Sequence, residues 1–128
     1  TEMVFPDENY DFEALSEDHF FVGAYNDEGI CIGLAIYCKD WFRYLYLDDL
    51  KVSKQYRSQG VGRLLLEEGK KIAVENGYRG IYTIGQDNNL SACQFYLHNQ
   101  FEIGGFNNRV YRGTSQENKS DIYFYLDC

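Results

Sequence analysis

A layered α/β domain, with helices packed on a mixed and mostly antiparallel sheet, is the fold class that this sequence predicts. Three observations predict it. The first half carries three consecutive runs rich in apolar, aromatic and β-branched residues, separated by turn signals. Two later runs, 60–75 and 90–99, have helical periodicity instead. Each helical run is followed by a further short strand-like run, so the order reads β-β-β-α-β-α-β-β. At 128 residues the chain is long enough for one domain with a real core, and residues 1–128 are expected to form it.

The elements follow in order. Residues 1–19 are acidic and weakly patterned, with a helix end at 13–16 as the only local signal. Residues 20–25 form a short apolar strand, Asn26 to Gly29 a turn, and residues 30–38 a second strand, hence a hairpin. A further turn over 38–42 leads into a third strand, 43–52, rich in Tyr and Leu. These three strands are expected to make an antiparallel meander. Residues 53–59 are polar except for Tyr56. Over 60–75, Val61, Leu64, Leu65 and Ile72 fall on one helical stripe, and Glu67 precedes Lys71 by four residues. Asn76 and Gly77 are a helix stop. Residues 80–84 read as a strand, Asp87, Asn88 and Asn89 as an N-cap cluster, and 90–99 as the second helix. Strand pieces at 101–104 and 108–113 are broken by Gly104 and Gly105, and a well-alternating strand, 121–127, closes the sheet.

Composition narrows the function classes. Hydrophobic residues make up 45% and charged residues 25%, which is ordinary for a globular protein. The net charge of −8 argues against nucleic acid or an anionic membrane surface as the main partner, since both need clustered Lys and Arg. It suits a cationic substrate. The four cysteines, 31, 38, 93 and 128, form no C-x-x-C pair, and with two His they predict no metal site. Buried free thiols in a reducing compartment are the expected state. No apolar run reaches the roughly 18 residues of a membrane-spanning helix, and no secretory leader opens the chain, so a cytoplasmic protein is expected. A homodimer is compatible with all of this.

The segment that carries chemistry runs from Gln55 to Arg63. A strand enters it and a helix leaves it. Such a corner presents unpaired backbone N–H groups at the helix start, where the dipole also favours an anion. Gly60 and Gly62 let a ligand approach the backbone closely, and Arg57 and Arg63 add positive charge. The physics predicts a phosphate or pyrophosphate site. The segment is not a P-loop, because no G-x-x-x-x-G-K-S/T exists. It is not a dinucleotide fingerprint either, because Leu65 stands where the third Gly belongs.

Arg57-Ser58-Gln59-Gly60-Val61-Gly62 resembles the Q/R-x-x-G-x-G/A acetyl-CoA signature of the GNAT superfamily of N-acetyltransferases. A second stretch agrees: Asn89 to Tyr96 resembles that superfamily's N-x-x-A-x-x-L/F-Y run. The resemblance implies a GNAT fold and acetyl-CoA as cosubstrate, with Leu50, Lys51, Val52, the run Arg57, Ser58, Gln59, Gly60, Val61, Gly62 and Arg63, and Asn89, Ala92 and Tyr96 as its contacts. It makes Tyr96 the general acid for the leaving thiolate, a role a phenol with an ordinary pKa near 10 suits. Backbone N–H groups near Leu50 to Val52 would polarise the thioester carbonyl. Cys93 reads as a buried thiol rather than a nucleophile, since no His lies near it in sequence. One departure stands out: Gln100-Phe101 replaces the superfamily's Gly-Phe, so a left-handed helix cap is expected at Asn99 or not at all.

Within the superfamily, Trp41 to Asp49 resembles the W-x-R-Y-x-Y-x-D/E-D strand of streptothricin acetyltransferases, as do the runs 86–96, 101–104 and 124–126. That resemblance covers residues 20–128. It implies a small cationic amine, the β-lysine moiety of streptothricin, as acceptor, with Trp41, Tyr44, Tyr46 and Asp48 binding it and Asp48 or Asp49 as base or anionic anchor. Alternation along the strand puts Asp48 on one face with Tyr46, Leu50 and Val52, which favours Asp48. The resemblance begins at the superfamily's second strand, so its first strand and following helices are expected to be missing here or reduced to residues 1–19. Two other readings share the same motifs: acetylation of another small amine, polyamine or protein amine, and a non-catalytic acyl-CoA-binding sensor.

Overall fold

The computed structural model describes residues 18–128. The helix end expected at 13–16 lies outside the described residues. Eight elements follow in the predicted order: β1 His19–Tyr25, β2 Cys31–Cys38, β3 Tyr44–Val52, α1 Val61–Glu75, β4 Gly80–Gln86, α2 Leu90–His98, β5 Glu102–Asn107 and β6 Asp121–Asp127. A short 3-10 turn, Lys54–Tyr56, sits between β3 and α1. The six strands form one sheet in the order β1-β2-β3-β4-β6-β5. β1, β2 and β3 pair antiparallel as the expected meander, and β5 pairs antiparallel with β6. β3 and β4 are neighbours joined through α1, the crossover that a parallel pair requires, which makes the sheet mixed. By contact the described residues divide into two compact units, 18–81 with Cys128 and 82–127.

In the first unit, α1 packs on β1, β2 and β3. Cross-strand partners share a face, so Val22, Ala35 and Leu50 point together, as do Phe20, Tyr37 and Leu47. The helix buries Val61, Gly62, Leu65, Leu66, Gly69 and Ala73. The predicted stripe is therefore turned: Leu64 is exposed and Ile72 only half-buried. The small residues Gly62, Gly69 and Ala73 decide this, because they let the helix sit close on the sheet and so select the buried side. The ion pairs also shift. Glu67 bonds Lys70 at 3.8 Å and Glu68 bonds Lys71 at 3.2 Å, both three residues apart, in place of the expected Glu67 with Lys71. Both pairs are partly exposed, and such pairs contribute little. The stop at Asn76 and Gly77 is a Schellman motif: Tyr78 N–H donates to Ala73 O at 2.8 Å and Gly77 N–H to Val74 O at 3.1 Å, with Gly77 at φ +79°.

In the second unit, α2 buries Cys93, and the Tyr96 ring lies 5.2 Å from that of Phe124 on β6. β5 runs unbroken through Gly104 and Gly105, with a register shift that absorbs the glycines as a bulge. The strand expected at 108–113 does not form. Residues 108–118 are turns and bends, and their backbone bonds are local, as in Arg112 N–H to Arg109 O. The stretch has strand-forming Val110 and Tyr111, but no neighbouring strand takes up its hydrogen bonds.

Candidate active site

Strand β3 carries a bulge. Ile36 pairs with Asp49 and Tyr37 with Leu47, which leaves Asp48 as the extra residue between them. The bulge resets the alternation. Leu47, Leu50 and Val52 share one face through their partners Tyr37, Ala35 and Gly33, while Tyr46, Asp49 and Lys51 share the other. Strict alternation had placed Asp48 with Tyr46, Leu50 and Val52. The register instead puts Asp49 beside Tyr46 and sets Asp48 apart, exposed at the bulge. Asp49 pairs with Lys51 at 3.4 Å, with their side chains 41% and 77% exposed.

The turn before β3 holds the aromatic residues. Trp41 is 92% exposed, its ring 5.5 Å from Phe42, and Phe42 lies 6.2 Å from Tyr44. Tyr44 and Tyr46 are half-buried. The Tyr78 hydroxyl clasps this turn, accepting from Asp40 N–H and donating to Asp40 O, each at 3.2 Å. Negative charge gathers nearby. Burial first, then Asp48, Asp40 and Asp18, hold the Cys38 thiol above its ordinary pKa.

After Val52 the chain makes the 3-10 turn and then a tight corner. Ser58 has φ +67° and Gly60 φ +84°, two left-handed residues flanking Gln59. Backbone that alternates in this way turns successive N–H groups to one side. Gly60 is the N-cap of α1, and no side chain caps that helix. Its first in-helix bond is Leu64 N–H to Gly60 O, so the N–H groups of Val61, Gly62 and Arg63 have no helical acceptor. An added Cβ on Gly60 would meet nothing within 4 Å, so the space over the corner is open. Arg57 and Arg63 are exposed, and Arg57 Nε donates to Val52 O at 3.3 Å. The corner joins N–H groups without helical acceptors, the positive end of a 15-residue helix and two guanidinium groups, an arrangement whose chemistry suits an anion.

In the second unit, Asn89 caps α2, its side chain accepting from Ala92 N–H at 3.2 Å. Tyr96 lies four residues beyond Ala92 on the same helix face. It is half-buried, with ring neighbours Phe95, Phe101 and Phe124 at 5.8, 5.3 and 5.2 Å. Cys93 is buried, and burial, then Asp87, pushes its thiol pKa up, away from a nucleophilic thiolate. The left-handed cap expected at Asn99 falls instead on Gln100, at φ +76°, with Phe101 N–H donating to Tyr96 O at 3.0 Å. Among the described residues no group of three His, Cys, Asp or Glu is placed to hold a metal ion.

Residues 1–101 match the model of the acetyltransferase (GNAT) family. The chain belongs to that family. It is 32% identical to streptothricin acetyltransferase A of Bacillus subtilis over 94% of its own length and 70% of that protein's. It is 28% identical to the streptothricin acetyltransferase of Streptomyces lavendulae, covering 88% of this chain and 60% of that one. Among solved structures, a Bacillus anthracis protein described as a streptothricin acetyltransferase, in complex with acetyl coenzyme A, matches with a TM-score of 0.81 and 36% identity, over 87% of this chain and 63% of that one. The chain thus spans about 60–70% of the length of these relatives.

Family membership bears out the fold expected from the Arg57 to Gly62 corner and the Asn89 to Tyr96 helix, a mixed six-stranded sheet carrying two helices. Among the described residues no helix is long and apolar enough to cross a membrane. Two features of the candidate site were not legible beforehand. The bulge at Asp48 leaves no mark in a run that reads as smooth strand. Left-handed Ser58 sits beside a polar stretch with no Asn or Gly at that position to signal it.

Proposed function

We propose that this chain is an acetyl-CoA-dependent N-acetyltransferase whose acceptor is an amine of streptothricin, so that acetylation inactivates the antibiotic. The observation that carries the reading is the uncapped corner at Gly60 to Arg63, in a chain similar to streptothricin acetyltransferases from three organisms. The corner suits coenzyme A's pyrophosphate. Its open donors and two arginines offset the two negative charges of that pyrophosphate diester. Acetyl-CoA supplies an acyl group activated as a thioester.

Each residue then has a task. The N–H groups of Val61, Gly62 and Arg63, with Arg57, Ser58 and Gln59 around them, hold the pyrophosphate. Backbone N–H groups of β3 at Leu50, Lys51 and Val52, just past the bulge, receive the donor's amide chain and carbonyl; bulges commonly re-aim groups in this way. Asn89 and Ala92 contribute at the start of α2. Tyr96 keeps its phenolic proton available for the departing sulfur. Asp48 and Asp49, with the rings of Trp41, Tyr44 and Tyr46, attract a cationic amine, and a carboxylate accepts the proton it must shed before attack. The N–acyl bond forms as the C–S bond breaks, and one proton goes to each side.

The test is thiol release from acetyl-CoA with streptothricin, with spermidine, lysine and an aminoglycoside as controls. Release with streptothricin alone, abolished in Gly60→Glu and slowed about 10²-fold in Tyr96→Phe, is the expected outcome. Release only with another amine keeps the reaction and overturns the acceptor. Tight CoA binding with no release on any amine overturns the enzyme reading in favour of a sensor.

A further inference from the structure

Residues 53–60 stand out from the body of the first unit. All are exposed except Tyr56, which is half-buried. The side-chain bonds of this stretch mostly return to itself or to the strand it continues: Gln59 Nε2 donates to Gln55 O at 3.1 Å, and Arg57 Nε to Val52 O. One bond leaves it. Tyr56 Oη accepts from Asn26 Nδ2 at 3.1 Å, across thirty residues of sequence.

Asn26 is built to make that bond. It lies in the turn between β1 and β2 and is only 8% exposed, one of two buried polar residues among those described. Its Oδ1 accepts the N–H groups of Glu28 and Ile30, both at 3.0 Å. Its backbone N–H donates to Ile30 O, and its backbone O accepts from Gly29 N–H, also at 3.0 Å. Two bonds thus hold the side-chain amide oxygen, and two more hold the backbone that carries it. A buried amide must spend its donors as well as its acceptor, and Tyr56 is where Nδ2 spends one.

We infer that Asn26, acting through Tyr56, positions the phosphate-binding corner, so that a turn outside the corner sets its affinity for coenzyme A. Tyr56 immediately precedes Arg57, and the chain then enters left-handed Ser58 and Gly60 within four residues. Left-handed Ser58 is held against its own backbone preference when the stretch is anchored at its near end; the far end is anchored by α1 itself. Without the anchor the corner samples other conformations, and ligand binding has to restore order, which lowers affinity. Neither residue touches the ligand in this account, so both are positioning residues. The inference rests on reading the corner as the coenzyme A site.

The test uses the full chain. Tyr56→Phe removes the acceptor and keeps the ring. It is expected to raise the Kd for CoA and the KM for acetyl-CoA about three- to tenfold, the value of one hydrogen bond. The KM for the amine and kcat should stay within twofold, and the melting temperature nearly unchanged. Asn26→Asp keeps the acceptor for Glu28 and Ile30, and the Tyr56 hydroxyl can turn and donate to the new carboxylate, so this variant is expected to restore near-normal affinity. Asn26→Asp combined with Tyr56→Phe should lose it again. A Tyr56→Phe variant with unchanged Kd and KM overturns the inference, as does one in which kcat and both KM values change together. Amide exchange of residues 57–61 in the unliganded protein is the independent readout: it should quicken in Tyr56→Phe while the interior of α1 stays protected. Should the wild-type chain bind no CoA, the coenzyme A reading fails, and unchanged exchange at 57–61 would show separately that the anchor does nothing.

Discussion

The ring of Tyr37 lies directly over Gly69, and its hydroxyl donates to the Leu65 carbonyl at 2.9 Å. Tyr37 is fully buried. A Cβ on Gly69 would overlap the ring and the hydroxyl oxygen. Glycine in the middle of a helix normally costs about 1 kcal/mol against alanine. Here that cost is offset by close contact between α1 and β2, with a large aromatic ring packed where a side chain would stand.

Gly69→Ala inverts the usual rule. At an exposed helix position the change would stabilise; at this one we expect a loss of about 1–3 kcal/mol from overpacking. Chemical denaturation of the two proteins checks it. Tyr37→Phe, which keeps the ring, should lose only about 1 kcal/mol for the hydrogen bond. A stabilised Gly69→Ala protein would mean that the ring does not sit over the helix as described.

Gly60 behaves differently. Space over it is open, so alanine meets no obstacle, but φ is +84°. Gly60→Ala is expected to cost about 1–2 kcal/mol of stability from backbone conformation alone. It should also weaken CoA binding by about tenfold, because relieving the strain moves the donors of the corner. Calorimetric titration with CoA, alongside thermal unfolding, measures both.

Gln100 takes the left-handed cap of α2 at φ +76° without the freedom of glycine. Its neighbours nonetheless complete the motif, Gln100 N–H donating to Leu97 O at 3.2 Å and Phe101 N–H to Tyr96 O. Gln100→Gly should stabilise the protein by about 0.5–1 kcal/mol, the left-handed penalty less the added freedom of the unfolded chain. A rise in melting temperature with unchanged helical circular dichroism is the expected result.

The four thiols should separate by environment. Cys31 and Cys128 are exposed, Cys38 is partly covered and Cys93 is buried. Iodoacetamide at pH 8 is expected to label Cys31 and Cys128 first and Cys93 last, read by peptide mass spectrometry. The raised pKa values of Cys38 and Cys93 also set a pH trend. Below the ordinary thiol pKa both groups are protonated, folded or unfolded, and cost nothing. Above it the unfolded chain ionises more readily than the folded one, so stability falls as pH rises through the folded values. Denaturation midpoints should decline above about pH 9, and less steeply in Cys93→Ala measured against its own neutral-pH value.

Local pattern carried most of what was legible in advance. The order of strands and helices, the meander, the stop at Asn76 and Gly77, and the cap at Asn89 all depend on residues within a few positions of one another, where turn chemistry and periodicity act directly. The strand–corner–helix geometry at Gly60 was legible for the same reason: strand end, glycines and helix start are contiguous. Tertiary structure decided the rest. Whether Leu64 or Leu66 faces the sheet depends on Tyr37, near thirty residues away, finding room over Gly69. The face taken by Asp49 depends on how β2 and β3 register across the bulge at Asp48. Tyr56 looked like a lone aromatic in a polar stretch until the fold brought Asn26 within 3.1 Å of it. Periodicity is a property of neighbours along the chain, whereas register, close approach and a buried amide's choice of partner are set by segments that meet only after folding.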